Sequence, residues 1–284
     1  MRRARGLLLL AGAMMLLAIL KESKEPYLWL FIDDLIHPKP APLVMDVSPD
    51  LALRLYTGTQ PHVGKVARLQ KGLVLVVGDP DEQSNSGQER IEEGFGFGLP
   101  LIEVKGQAYL SSTAIAKREG DTLFKEYQID TLDTPSGFLR RKYEPVPSIG
   151  AVTVRYTPIA ERTIEVHVDF SGLQIPWDRA YLMNEQGARF FTRYEEPGIT
   201  AQGEGFGKWQ PTRSPRSCVV ADDRLLRFCV ETDTEIQRYY GRERYNQFYW
   251  IGIYILSWAG IDLEVEAPAS HFAYRIVLET PQND

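Results

Sequence analysis

Beyond residue 43, apolar and polar positions alternate with a period of two through most of the chain, and residues 150–191 show the pattern at its longest. Ala151-Val152-Thr153-Val154-Arg155-Tyr156 is followed by a corner at Pro158 and then by Thr163 to Phe170. In that second run Ile164, Val166, Val168 and Phe170 share one face, and Glu165, His167 and Asp169 share the other. Alternation of β-branched and polar residues predicts half-buried antiparallel strands. A third strand over 180–183 leads into Asn184-Glu185-Gln186-Gly187, a turn composition, and Ala188 to Phe191 follows. These segments together predict a meander at the centre of the domain.

The same rhythm continues on both sides. Leu73-Val74-Leu75-Val76-Val77 is an unbroken apolar run stopped by Gly78-Asp79-Pro80, the mark of a strand buried on both faces. Residues 51–56 read as a strand or a short helix, 81–93 as a polar surface loop, and 114–118 as a helical turn. Strands are predicted around 107–110, 123–130 and 137–140, and closing strands at 263–266 and 271–278. Residues 234–244, mixing Glu235, Arg238, Arg242, Glu243 and Arg244, suggest a helix or a long loop over the sheet. Phe248 to Leu256 reads as a core strand, with a helix as the other reading. Short strands at regular spacing point to an all-β, mainly antiparallel fold, a large β-sandwich or supersandwich-like domain.

The N-terminus breaks this pattern. Arg2, Arg3 and Arg5 precede an uncharged apolar run from Gly6 to Leu20, closed by Lys21. A basic stretch before an apolar core is the pattern of a targeting segment. No Cys follows the run, which excludes a lipoprotein anchor, and no small-x-small pair sits just beyond it. The expectation is a single signal-anchor helix, with a cleaved signal peptide as the alternative. About 15 residues cover roughly 22 Å of a ~30 Å hydrocarbon core, a shortfall that snorkelling Arg and Lys side chains can meet. The basic flank then lies in the cytoplasm and everything after Lys21 outside. Tyr27 and Trp29 suit either the headgroup layer or a segment docked on the domain, and His37-Pro38-Lys39-Pro40-Ala41-Pro42 forms a stiff spacer. The expected organisation is an anchor or signal over 1–21, a juxtamembrane segment and spacer over 22–42, and an extracytoplasmic domain over 43–284.

Composition changes this picture little. The 284 residues carry a net charge of −6 with Lys and Arg scattered, which argues against nucleic acid as a partner. The two cysteines add more. Cys218-Val219-Val220-Ala221 and Leu226-Arg227-Phe228-Cys229 flank Asp222-Asp223-Arg224-Leu225, a hairpin turn that sets Cys218 opposite Cys229. Opposed side chains on adjacent strands lie within disulfide reach, and an extracytoplasmic compartment would oxidise them. Two thiols without a neighbouring His supply too few ligands for a metal site, and neither a metal nor a cofactor is expected.

Candidate chemistry is sparse. Gly94-Phe95-Gly96-Phe97-Gly98 lacks the spacing of a dinucleotide or phosphate loop. It reads either as a bulged strand that a second backbone approaches closely or as an aromatic loop at a binding site. Glu204-Gly205-Phe206-Gly207-Lys208-Trp209 echoes it. Phe95, Phe97, Trp209, Tyr249 and Trp250, with Asn184 and Glu185 at a strand end, are the candidate ligand-binding residues. The aromatics of the last third read as core filling or as a platform for sugar rings. His167, flanked by Glu165 and Asp169 on one strand face, is the candidate general base, since an imidazole titrates near neutrality. A wet strand face accounts for the same three residues.

Val152 to Thr157, a turn, and Ile164 to Val168 together resemble the sheet rhythm of galactose-mutarotase-like supersandwich domains. That resemblance implies a large antiparallel fold of the kind found in carbohydrate epimerases, lyases and glycan-processing proteins. The family's catalytic histidines and acid match no residues in this sequence. Two functional classes follow. The first is a membrane-anchored, single-pass envelope protein, held by residues 7–20, that acts as a binding or accessory subunit for a protein partner or a glycan. The second is a carbohydrate-active, epimerase- or lyase-like enzyme with its site around His167.

Overall fold

The computed structural model describes residues 41–48, 51–56, 62–63, 66–67, 69–77, 94–135, 141–188, 190–222, 226–233, 235–249 and 252–280. The expected anchor, the spacer up to residue 40, the loop at 81–93 and Trp250 lie outside these residues. Among the described residues no helix is long and apolar enough to cross a membrane.

The described residues form an all-β structure of antiparallel strands. Its first part holds β1 (Leu43–Ser48), β2 (Leu51–Leu55), β3 (His62–Val63), β4 (Val66–Ala67), β5 (Leu73–Val77), β6 (Gly96–Val104), β7 (Gln107–Glu119), β8 (Thr122–Pro135) and β9 (Arg141–Pro145). The centre holds β10 (Ala151–Ala160), β11 (Thr163–Asp169), β12 (Arg179–Gln186), β13 (Arg193–Glu196), β14 (Ile199–Gln202) and β15 (Gln210–Pro211). The last part holds β16 (Arg216–Ala221), β17 (Leu226–Glu231), β18 (Gln237–Tyr249), β19 (Gly252–Glu266) and β20 (His271–Glu279).

Pairing produces two runs of strands. One is β1-β2-β5-β6-β12-β19-β18-β15. The other is β7-β8-β10-β11-β20-β17-β16-β13-β14. They join where β6 turns into β7 through Lys105 and Gly106, both at positive φ. Side chains from the second run reach the first: Tyr156 Oη donates to the Phe97 carbonyl at 2.8 Å, and Phe97 meets Phe228 edge-on at 5.1 Å. Tyr194 of β13 stacks on Tyr240 of β18 at 3.6 Å. The core is therefore the slab between two layers, filled by the alternate residues of each strand.

The alternation of β10 and β11 is found as expected, with Ile164, Val166 and Val168 fully buried and Phe170 nearly so. Leu73 to Val76 of β5 are likewise buried. The glycine-rich run is a bulged strand: the β6–β12 register shifts between Met183 and Asn184. Gly94, Gly96 and Gly98 hold φ of 93°, 82° and 75°. A Cβ at Gly96 would stand 2.8 Å from the backbone of Gly72, so the close approach of a second chain is real.

Other expectations are corrected. No meander joins β11 to β12, because β11 pairs with β20 while β12 lies between β6 and β19. Residues 184–186 are not a turn. β12 runs on to Gln186, and Asn184, Glu185 and Gln186 are buried. Polar side chains are tolerated there because the bulge leaves backbone groups to satisfy: Gly98 N–H donates to Asn184 Oδ1, and Leu75 N–H donates to Gln186 Oε1. Residues 114–118 belong to strand β7, and 237–244 to strand β18 rather than a helix or loop. In β18 the polar residues alternate with core ones: Tyr240 is buried, and Arg242 reaches inward to donate to the Ala188 carbonyl at 2.8 Å. Residues 248–256 are two strands of a hairpin, with Tyr249 opposite Gly252.

Cys218 and Cys229 are directly opposed and disulfide-bonded. An alternating chain of ion pairs covers them: Glu231–Arg216, Arg216–Glu279, Glu279–Arg227, Arg227–Glu195, Glu195–Arg193 and Arg193–Asp222.

Candidate functional site

The outer face of β12, β19 and β18 gathers the chain's most chemically capable residues. In β19, Ile261, Leu263 and Val265 point into the core, so Trp258, Gly260, Asp262 and Glu264 point away from it. In β12, Ala180 and Leu182 are core, which sends Tyr181, Met183 and Glu185 to that outer face. In β18, buried Tyr240 leaves Tyr239, Gly241 and Glu243 outside. Cross-strand pairing sets Glu185 and Gly241 on either side of Gly260, and Tyr239 beside Asp262.

Two adjacent glycines leave a bare floor, and Trp209 occupies it. A Cβ at Gly241 would lie 2.5 Å from the Trp209 ring, so one indole face rests on the β18 backbone. Trp209 Nε1 donates to Glu243 Oε1 at 2.8 Å, which fixes the ring's orientation while the residue stays half-exposed. Nearby on the same strands, Trp258 packs against Phe95 at 5.2 Å between ring centres.

Between these aromatic groups lies a carboxyl pair. Asp262 accepts the Asn184 backbone N–H at 3.3 Å and hydrogen-bonds the Glu185 side chain. Burial raises the Asp262 pKa to about 7, and Glu243 adds to the rise. The Asn184 and Glu185 hydrogen bonds act in the opposite direction. At neutral pH the pair therefore holds a transferable proton beside a half-exposed indole. The lower rim is fixed: Arg179 pairs with Glu264 at 3.0 Å and with Glu103 at 3.5 Å, and Tyr239 hydrogen-bonds Glu264.

Asp262 makes a pH prediction. Its folded pKa lies above the ordinary 3.8, so the folded state binds more protons between pH 3.8 and 7. Stability from this group is present at acid pH and lost as pH rises through 7. Asp262→Asn keeps the acceptor for Asn184 and removes the ionisation. Denaturant unfolding is expected to show its stability advantage over the native chain growing from pH 4 to pH 7.5.

The expected ligand-binding residues divide. Phe95, Trp209 and Glu185 come together on this face. Phe97 is fully buried against Phe228, and Asn184 is fully buried beneath the face. Tyr249 ends β18, its side chain outside the described set. Sequence reasoning passed over Asp262, Glu243 and Trp258 as site residues. The spacing Trp258-x-Gly260-x-Asp262-x-Glu264, one polar or aromatic residue at every second position of a strand, was the available signal.

His167, Glu165 and Asp169 share the outer face of β11 on the other layer. His167 and His271 lie 5.6 Å apart by ring centres, and Asp169 pairs with His271 at 3.5 Å. Burial lowers the His167 pKa, with Arg155 and His271 adding to the drop against Asp169 and Glu165, so the ring is neutral at pH 7. Among the described residues no group of three or more His, Cys, Asp or Glu is arranged to hold a metal ion.

No protein-family model matches the chain, and no curated protein sequence does. Among solved structures, 4-alpha-glucanotransferase from Thermococcus litoralis aligns with a TM-score of 0.42 and 8% identity, over 86% of this chain and 42% of that one. Heparan sulfate lyase HepC from Pedobacter heparinus aligns with a TM-score of 0.40 and 9% identity, over 86% of this chain and 35% of that one. The chain thus spans less than half the length of either protein, and likeness at this level says nothing about activity.

Proposed function

We propose that the protein is an extracytoplasmic carbohydrate-binding component of the cell envelope, tethered by the apolar run at residues 7–20 and binding glycan on the outer face of β12, β19 and β18. One observation carries this reading: the Trp209 indole is laid flat on Gly241 and locked by Glu243, beside carboxyl groups able to bond hydroxyls. A sugar ring offers an apolar face to an indole and hydroxyls to its rim, and fixed rings with a few convergent polar groups are how such ligands are bound. The location rests on the basic-flanked apolar run and on the Cys218–Cys229 disulfide, a bond that persists in oxidising compartments. In this reading the domain serves a larger envelope assembly as its glycan-recognising subunit, within the layered supersandwich-like architecture expected from the strand rhythm.

Trp209→Ala is expected to weaken binding on a glycan array, or in titration with the oligosaccharides it selects, at least tenfold. The thermal midpoint should stay within a few degrees, because the ring covers backbone rather than filling the core. Equal binding by the folded variant would remove the indole from the site. The location is tested separately by a C-terminal alkaline phosphatase fusion, expected to be active; an inactive fusion places the domain in the cytoplasm.

A second reading, a carbohydrate-active enzyme, is favoured by the proton held between Asp262 and Glu185, since a carboxylic acid still protonated near neutrality suits a general acid. In that case turnover of a bound glycan disappears in Asp262→Asn and survives in His167→Ala.

A further inference from the structure

We infer that the glycan recognised on the β12–β19–β18 face carries protonated amines, that is, an amino sugar without its N-acetyl group. The inference rests on the proposed glycan site and concerns the charge of its ligand. Carboxyl groups alone would describe a solvated strand face. What makes this one selective is their position around a fixed indole.

The charge balance of the face is one-sided. Glu185, Asp262 and Glu243 surround the Gly241–Gly260 floor, and Glu264 follows one strand pair further on. The cation placed on these strands, Arg179, is already held between Glu264 and Glu103. An anionic sugar, a uronate or a sulfate ester, would bring like charge against three carboxyl groups with no cation freed to meet it. Like charges juxtaposed at an interface cost several kcal/mol. A neutral N-acetyl sugar would stack on the indole yet leave the carboxyl groups facing an amide methyl.

An ammonium on the ring suits the site in two ways. It offers three donors to groups that accept hydrogen bonds. A cation beside an indole also gains from the negative potential of the ring face. Trp209 and Trp258 supply such faces, and the Glu243 bond to Trp209 Nε1 stops the first ring from turning edge-on. The same chain of contacts therefore positions the aromatic floor and concentrates negative charge around it.

The test uses the full chain in detergent or nanodiscs, with calorimetric titration against four probes at low and high salt. These are a glucosamine tetramer, its N-acetylated counterpart, a galacturonate tetramer and a lysine tetrapeptide. The expected result is at least tenfold tighter binding of the glucosamine tetramer than of its acetylated form. That preference should shrink at high salt. It should also fall severalfold in Glu243→Gln and Asp262→Asn, each checked as folded by circular dichroism. Equal or tighter binding of the acetylated or galacturonate tetramer overturns this inference and leaves the glycan site standing. Equally tight binding of the lysine peptide overturns it too, because charge alone would then be read. Failure of all three glycans overturns the glycan site itself.

Discussion

Asn184→Ala lowers the stability of the folded protein by roughly 2–6 kcal/mol, a large share of the ~5–15 kcal/mol that holds a typical domain together. Asn184 is fully buried and uses its whole hydrogen-bonding capacity. Its Oδ1 accepts from Tyr274 Oη at 2.7 Å and from Gly98 N–H at 3.2 Å. Its Nδ2 donates to the carbonyls of Leu182 at 3.0 Å and Ile261 at 3.1 Å. One side chain thus ties together β6, β12, β19 and β20 at the point where the glycine bulge breaks the ladder. Alanine strands two buried donors, each costing about 1–3 kcal/mol, while the two carbonyls have less to lose. Urea denaturation measures the loss. Tyr274→Phe removes one partner and is expected to cost less than half as much. A change below 1 kcal/mol in Asn184→Ala would mean that water or a shifted backbone takes over these bonds.

The same residue marks a limit of what the chain discloses. Asn-Glu-Gln-Gly has the composition of a turn, and local chemistry gives no reason to expect it inside a sheet. It becomes strand because glycines about 90 residues earlier open unpaired backbone groups beside it, and only tertiary contact reveals that. The β10–β11 hairpin and the Cys218–Cys229 pairing were legible because both depend on neighbours in sequence. The second partner of β11 is β20, more than 100 residues downstream, and period-two alternation carries no information about which strands pair across such a distance.

The candidate site was half legible for a related reason. Phe95, Trp209 and Glu185 stood out as aromatic or polar residues in glycine-rich or turn-like surroundings. Asp262 and Trp258 were hidden in a run dominated by apolar residues, where a core strand was the natural reading. Glu243 sat in a charged stretch that resembled a helix face. Both runs are strands with two faces, and the outer face of each carries the chemistry. His167 drew attention because histidine is chemically versatile, yet it sits on the opposite layer from the indoles and the proton-bearing carboxyl pair.

Lys125→Met is expected to stabilise the protein at and below neutral pH by up to a few kcal/mol, and to flatten its stability profile above pH 7. Lys125 occupies a core position on β8, in step with Leu123, Tyr127 and Ile129, and is fully buried. Its Nζ donates to the carbonyls of Lys71 at 2.8 Å and Tyr56 at 2.9 Å and lies 5.2 Å over the Tyr127 ring. Burial, with a smaller contribution from Lys71, lowers its pKa from 10.5 to about 7. Between those values the unfolded chain binds a proton that the folded chain does not. Stability therefore rises with pH across that window, and the deficit is complete below pH 7. Each unit of such a shift corresponds to about 1.4 kcal/mol, so the native chain should gain roughly 2–3 kcal/mol between pH 7 and 9. The methionine variant lacks that slope. Asp262 acts in the adjoining window with the opposite sign, losing stability as pH rises from 3.8 to 7. The two buried charges together place a stability minimum near neutrality. Denaturant midpoints for the native chain, Lys125→Met and Asp262→Asn, measured from pH 4 to 10, separate the two limbs. Parallel profiles for the native chain and Lys125→Met above pH 7 would rule out the lysine as the source of the rise.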